Sequence, residues 1–393
     1  MLSDSESALA RAVLIHGPIS RSELTSRLGL SPPSLTRLAK PFLDAGLLVE
    51  LDDRTDGSVG RPVRPLDVRP GLAHFAGVKV TGDSLHVAGT DVRARLVAYE
   101  ERPLHGRDPA GVAAEIARAV RDLGLDRIAG VGVAIGGAVR DGRVVEFAPF
   151  LDWTDVPFAE LVEAELGVPA SLENDLVALA EAELWFGLGR DIPGFVVITI
   201  GAGIGYALVV NGQVVHSREA GVGLGGHIPL STTGPVCHSG HRGCAEAMLA
   251  SGSIAAQVSA AHRRPLDYAE ALRLAHDGDP AASTVVDEAA TALGRLVALS
   301  VNLTLQPAAV LAGEGIGLFA VAEARVRAAI AADRDPRAEP VRLYVDESGF
   351  SAWARGAATI AIQDAVERIR LDQPVQDLMT APAGSGETRG ATP

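Results

Sequence analysis

Cysteine is nearly absent from this 393-residue chain, which holds only Cys237 and Cys244. One clustered pair excludes a multi-bridge disulfide framework, and in a reducing compartment such a pair binds a metal or stays free. Lysine is equally scarce: Lys40 and Lys79 stand alone among 35 basic residues, so the positive charge is almost wholly arginine, a coding bias rather than chemistry. Hydrophobic residues make up 47% of the chain, yet no run approaches the roughly 20 apolar residues of a membrane span. Residues 1–10 lack the basic-then-apolar order of a signal peptide. Together these absences predict a cytoplasmic protein with no membrane partner. No internal repeat is visible, and residues 374–393, rich in Ala, Gly, Thr and Pro, have little to bury and read as a disordered tail.

The formal charge of -14 excludes a protein coated in nucleic acid. Its distribution is uneven. Residues 1–72 carry 9 basic and 9 acidic side chains, so all the negative excess lies beyond them. A neutral N-terminal module precedes an acidic body.

In that module, Ala8, Leu9, Ala12, Val13 and Ile15 have helical spacing up to the His16-Gly17-Pro18 breaker. Ser20 then caps a short helix, with Glu23 placed to complete a capping box and Gly29 to end it. Ser31 and Pro32 open a third helix running through Leu35, Leu38, Phe42 and Leu43 to Gly46. A strand at 47–51, a polar turn at 52–60 and a returning strand at 61–68 complete the pattern of a winged helix-turn-helix. The polar residues of the third helix, Ser34, Thr36, Arg37 and Lys40, are free to meet double-stranded DNA. Arg37 suits a bidentate contact to a guanine edge and Lys40 a phosphate, while Arg61 on the wing suits the minor groove. The competing reading of three short helices is a protein-interaction domain.

From residue 72 the pattern becomes α/β. Strands are predicted at 74–80, 84–90, 128–135, 194–200 and 207–210, and helices at 109–123, 156–166 and 175–186. Three places carry candidate chemistry. Glu173-Asn174-Asp175 stands at a strand-to-helix junction, where Asp175 serves as a base and Asn174 as an orienting amide, or the triplet simply caps a helix. Thr199 to Gly205, TIGAGIG, follows a strand and reads as a phosphate-cradling turn. The third, HIPLSTTGPVCHSGHRGC from His227 to Cys244, collects both thiols and three histidines.

The order and spacing of ENDLVALAEAELWFG, TIGAGIGYALVVNGQVV, GGH, C-x-S-G-x-x-G-C-x-E and VNLTLQPAAVLAGE resemble the ROK family of sugar kinases and sugar-responsive repressors. The resemblance spans nearly the whole chain and, given the N-terminal module, points to the repressor branch. It implies a winged helix-turn-helix over residues 1–70 and a two-lobed, actin-like and RNase H-like ROK domain over 71–373. It also implies sugar contacts at Asn174, Asp175, His227 and Glu246, with Gly136 or Gly137 against the ligand. A zinc ion would be held by His227, Cys237, position 239 and Cys244. Because Ser239 replaces the family cysteine, the fourth ligand would come from His241, His238 or water. Other departures remove kinase features. Lys79 stands where the first phosphate loop has an aspartate, Gly313-Glu314 replaces a glycine pair near the nucleotide, and Leu224 replaces a sugar-binding glutamate.

The resemblance thus implies a homodimeric or homotetrameric repressor that binds operator DNA, answers to a sugar or oligosaccharide effector and is not an enzyme. Its rivals are a sugar kinase with an added regulatory domain and a repressor that has lost its sugar response.

Overall fold

The computed structural model describes residues 2–52, 64–217, 219 and 221–372. Chain contacts divide it into two compact units: Met1–Ile135, Val139–Glu173 and Ala354–Pro393 form one, and Gly136–Ala138 with Asn174–Trp353 the other.

The first unit begins with α1 (Asp4–His16), α2 (Arg21–Leu28) and α3 (Pro32–Asp44), followed by the antiparallel pair β1 (Leu48–Glu50) and β2 (Leu66–Val68). Serine caps open all three helices, at Ser3, Ser20 and Ser31. The capping box lies on α1, where Ser3 and Glu6 bond reciprocally; on α2 the Glu23 carboxylate turns instead to Arg27, one helical turn on. Leu9, Val13, Leu24, Leu35, Phe42 and Leu66 close a small core at 1% exposure or less. The returning strand is confirmed from Leu66, whereas Arg61, the polar turn from residue 53 to 60 and the 374–393 tail lie outside the described residues.

The body of this unit contains β3 (His74–Val80), β4 (Ser84–Thr90), β5 (Leu96–Pro103), α4 (Pro109–Asp122), β6 (Ile128–Ile135), β7 (Ala138–Arg140), β8 (Val144–Ala148), β9 (Trp153–Val156), α5 (Phe158–Leu166) and β10 (Ala170–Asn174). Its main sheet has the order β10-β6-β3-β4-β5, with β3, β4 and β5 antiparallel and β3 parallel to β6. Val78, Val133, Ile116 and Phe158 center its core.

The second unit contains α6 (Asp175–Trp185), β11 (Phe195–Ile200), β12 (Ile204–Val210), β13 (Gln213–Val214), a 3₁₀ turn at Leu224–His227, α7 (Ala245–Leu249), α8 (Ser251–His262), α9 (Tyr268–His276), α10 (Pro280–Thr304), β14 (Ala308–Ala312), α11 (Gly317–Ala332) and β15 (Arg342–Val345). Its sheet runs β13-β12-β11-β14-β15, again three antiparallel strands followed by parallel ones. The sequence shows no repeat, yet both units use one strand order. The helix α12 (Phe350–Arg368) returns, from Ala354, to the first unit. It lies against β3 and β6 so closely that a methyl group at Gly77 would sit 2.0 Å from the Ala354 carbonyl oxygen, and one at Gly132 would sit 1.7 Å from that of Ala357. Only glycine fits there.

Candidate functional site

Helix α3 presents the polar face expected of a DNA-reading helix. Leu35, Ala39 and Phe42 are buried, Thr36, Arg37 and Lys40 are exposed, and Ser34 is half-buried. The two hydroxyls are engaged locally: Ser34 Oγ lies 2.8 Å from Ser31 Oγ, and Thr36 Oγ1 donates to the Pro32 carbonyl at 3.0 Å. Arg37 and Lys40 are therefore the long groups of this face. One feature escaped the sequence reading. Pro41 lies inside α3 and has no N–H to give to the Arg37 carbonyl one turn back.

In the second unit, Asn174 ends β10 and caps α6. Its Oδ1 accepts the N–H groups of Leu176 at 3.0 Å and Val177 at 3.2 Å, and its Nδ2 donates to the Gly137 carbonyl at 2.8 Å. With 3% exposure, Asn174 is first a cap and a strut for Gly137, the helix-cap reading of the triplet. Gly221 closes on the same spot: a methyl group there would lie 2.0 Å from the Gly137 oxygen and 2.6 Å from Asn174 Nδ2. Asp175, half-buried, opens α6 with Oδ1 accepting the Leu176 N–H at 2.8 Å. Gly136 adjoins this group. Segment 221–227 leads from it to a second cluster, passing Leu224, which is 56% exposed.

That second cluster is built by a tight hairpin. Val236 bridges Arg242, the Cys237 N–H donates to the His241 carbonyl at 2.9 Å, and the Gly240 N–H donates to the Cys237 carbonyl at 2.9 Å. The hairpin brings Cys237 and His241 to His227, so that one donor atom from each lies within 4.8 Å of the others. Glu246, in the first turn of α7, faces His227 Nδ1 at 3.6 Å and His238 Nδ1 at 2.8 Å. Of the two histidine candidates for the fourth ligand, His241 joins the thiol and His227, whereas His238 is held by Glu246. Cys244, 1% exposed, packs against Cys237 but stands outside the three-residue group. Burial, reinforced by Cys237, pushes the Cys244 thiol pKa up. Two imidazoles and a thiol fit the nitrogen and sulfur donors that zinc takes, and ligand atoms about 2.0 to 2.3 Å from a tetrahedral ion need only a small contraction of this group.

The glycine turn differs from expectation. Ile200 pairs with Ile204 around it, and the Ala202 N–H donates to Glu314 Oε1 at 2.8 Å. The carboxylate lies over Gly201, where a methyl group would sit 2.0 Å from Oε1. The Gly315 N–H donates to the Ile200 carbonyl at 2.7 Å, and the Tyr268 hydroxyl, inside the packing, donates to the Gly315 carbonyl at 2.6 Å. The turn read as a phosphate cradle is thus occupied by a carboxylate of the same chain. Sequence reasoning marked Glu314 only as a departure, since no local pattern shows where a residue so distant in sequence will reach. Lys79, the other departure, is buried in β3, in register between His86 and Ala134.

The ROK family model matches residues 76–364, about three quarters of the chain. The chain belongs to the ROK family. It is 25% identical to the DNA-binding transcriptional repressor Mlc of Escherichia coli over 381 residues, covering 91% of this chain and 92% of Mlc. It is 26% identical to the E. coli transcriptional dual regulator NagC, covering 79% of this chain and 80% of NagC. Among solved structures, a ROK transcriptional regulator described as a homologue of Mlc superposes with a TM-score of 0.77 at 23% identity, covering 96% of this chain and all of the other. A ROK glucokinase from Streptomyces griseus gives 0.63 at 24% identity, covering 74% of this chain and 99% of the kinase. The ROK fold is the two-lobed, actin-like α/β architecture expected.

Proposed function

We propose that this ROK protein is a sugar-responsive transcriptional repressor, reading operator DNA with α3 and binding a carbohydrate effector in its second unit. The observation that carries the reading is the N-terminal module. The glucokinase similarity leaves about a quarter of this chain unmatched, while the regulator similarity covers nearly all of it. Within the body, Asp175, His227 and Glu246 supply acceptors and donors suited to neutral hydroxyls, and Asn174 fixes Gly136-Gly137 beside them.

The protein is not an enzyme in this reading. Glu314 fills the turn that would cradle phosphate, and Lys79 brings a cation where a kinase needs a metal-managing carboxylate. His227, Cys237 and His241 would hold zinc, with Cys244 adjacent. Tetrahedral zinc there would brace the hairpin against α7 and keep Glu246 in place. A cytoplasmic dimer or tetramer would set two α3 helices on a palindromic site.

The test is selection of a binding sequence from random DNA, followed by gel shifts with glucose, N-acetylglucosamine, xylose and oligosaccharides. Sequence-specific binding released by one of these is the expected result. Hexose-dependent ATP consumption would favor the kinase; specific binding indifferent to every sugar would favor the unresponsive repressor, the variant that exposed Leu224 suggests.

A further inference from the structure

One side chain of the body reaches two elements of the DNA-reading module in its own unit. Arg93 projects from the turn between β4 and β5, a turn held rigid because Asp91 Oδ1 accepts the N–H groups of Arg93 at 2.8 Å and Arg95 at 2.9 Å. Its Nε donates to the Leu14 carbonyl at 2.8 Å and its Nη2 to the Val13 carbonyl at 3.1 Å. These belong to the last turn of α1, where a cation is favored by the helix dipole: the Leu14 carbonyl faces Pro18, which has no N–H to give it, while the Val13 carbonyl also accepts the Gly17 N–H at 2.9 Å. The same Nη2 pairs with Asp67 Oδ1 on β2, and that oxygen also accepts the Val68 N–H at 2.8 Å. Both partners are largely withdrawn from solvent, at 13% and 14% exposure. The clamp fits only because residue 17 is glycine: a methyl group there would meet Arg93 Nη2 at 2.5 Å and Asp67 Oδ1 at 2.6 Å.

An exposed ion pair of this kind contributes little. This one is mostly buried, is joined to two carbonyls, and ties three elements: the first helix of the module, its returning strand and a hairpin of the body. It connects residues 79 and 80 positions apart in sequence.

The geometry points to Arg93 as a positioning residue for DNA recognition: it holds the module at a fixed orientation on the first lobe, so that lobe and reading helix move as one body. Arg93 need not touch DNA. It acts by setting where α3 is presented, and in a symmetric oligomer by fixing the separation of two α3 helices. The inference rests on the proposed DNA reading only for its consequence at the operator; the clamp itself is tested without DNA.

Two measurements on the full-length protein decide it. In the first, ¹⁵N relaxation compares α1–α3 with the body in wild type and in Arg93→Ala, with Arg93→Lys as the conservative variant. The module is expected to tumble with the body in wild type, to gain independent nanosecond motion in Arg93→Ala, and to be partly restored by lysine. Identical relaxation in wild type and Arg93→Ala overturns the inference. In the second, affinity is measured for the selected operator and for a single half-site. Loosening the module should weaken the full site about tenfold or more while changing the half-site by no more than about twofold, because a mobile tether lowers the effective concentration of the second contact. Equal losses on both sites, or no loss on either, would also overturn it, the former by making Arg93 a plain stability residue. If wild type selects no DNA sequence, the functional reading fails while the relaxation comparison still judges the clamp.

Discussion

The Glu314 carboxylate accepts the N–H of Ala202, 112 residues away in sequence, and lies over Gly201 in the turn between β11 and β12. Glu314→Ala is expected to lose about 1 kcal/mol of stability, the order of one partly exposed charge-assisted hydrogen bond. It should also open the turn to anions, so that orthophosphate raises the melting temperature of the variant more than that of wild type. Equal shifts would mean that the carboxylate does not occupy an anion site. With Lys79 retained, neither protein should consume ATP with any hexose.

On DNA, Arg37 and Lys40 should behave differently. Arg37→Ala should cost about 1 to 3 kcal/mol and relax sequence preference, as expected for a base contact. Lys40→Ala should weaken all sequences alike and lower the salt slope by about one. Gel shifts across a salt series separate the two, and operator binding untouched by either change would remove α3 from the interface.

Asp175→Ala should leave operator affinity unchanged and abolish release by the sugar identified in the screen. Because Asp175 opens α6 and Asn174 caps it, Asn174→Ala should instead cost about 1 to 2 kcal/mol of stability through the lost cap and the unpartnered Gly137 carbonyl. Thermal melts with and without ligand distinguish the two roles. Release of the Asp175 variant at the wild-type ligand concentration would place the pocket elsewhere.

Zinc analysis of protein purified without chelator should find about one ion per chain, reduced in His241→Ala and retained in His238→Ala, because His241 joins His227 and Cys237 whereas His238 pairs with Glu246. Zinc should be released as pH falls, since zinc binds neutral imidazole and thiolate, and acid converts these to imidazolium and thiol. Metal content independent of His241 would hand the position left by Ser239 to water.

Burial pushes the Tyr268 hydroxyl from 10.0 up to about 12. The folded chain therefore holds this proton more tightly than the unfolded chain. Its contribution to stability is intact below pH 10 and lost as pH rises toward 12. Tyr268→Phe should cost about 1 kcal/mol near neutrality, through the lost bond to Gly315, and should flatten the decline across that alkaline window. Denaturant melts at several pH values check both effects.

Local pattern made much of this legible. Strands at 74–80, 84–90 and 128–135 match the structure to the residue, because apolar runs bounded by turn residues define buried strands. Helix starts at Ser20 and Ser31 were readable from side chains that act on their own backbone. What depended on distant contacts was not. The capping box moved from Ser20 to Ser3 because Arg27 competes for Glu23. The shared strand order of the two units left no trace, since topology constrains hydrophobic period rather than residue identity. The division of labor between His238 and His241 was fixed by a hairpin and by Glu246, neither of which spacing reveals.

Helix α12 covers a sheet laid down far earlier in the chain, at glycines that accept no other neighbor. During synthesis that surface stays bare while the second unit's main stretch, Asn174–Trp353, is made, roughly 9 to 36 seconds at the usual 5 to 20 residues per second. The lobe that carries α1, α2 and α3 is thus closed by a segment made after the second unit. A ribosome that stops within the second unit releases a chain whose early sheet has no lid, an apolar surface for chaperones or proteases to find. Only a chain made through α12 presents α3 on a completed lobe.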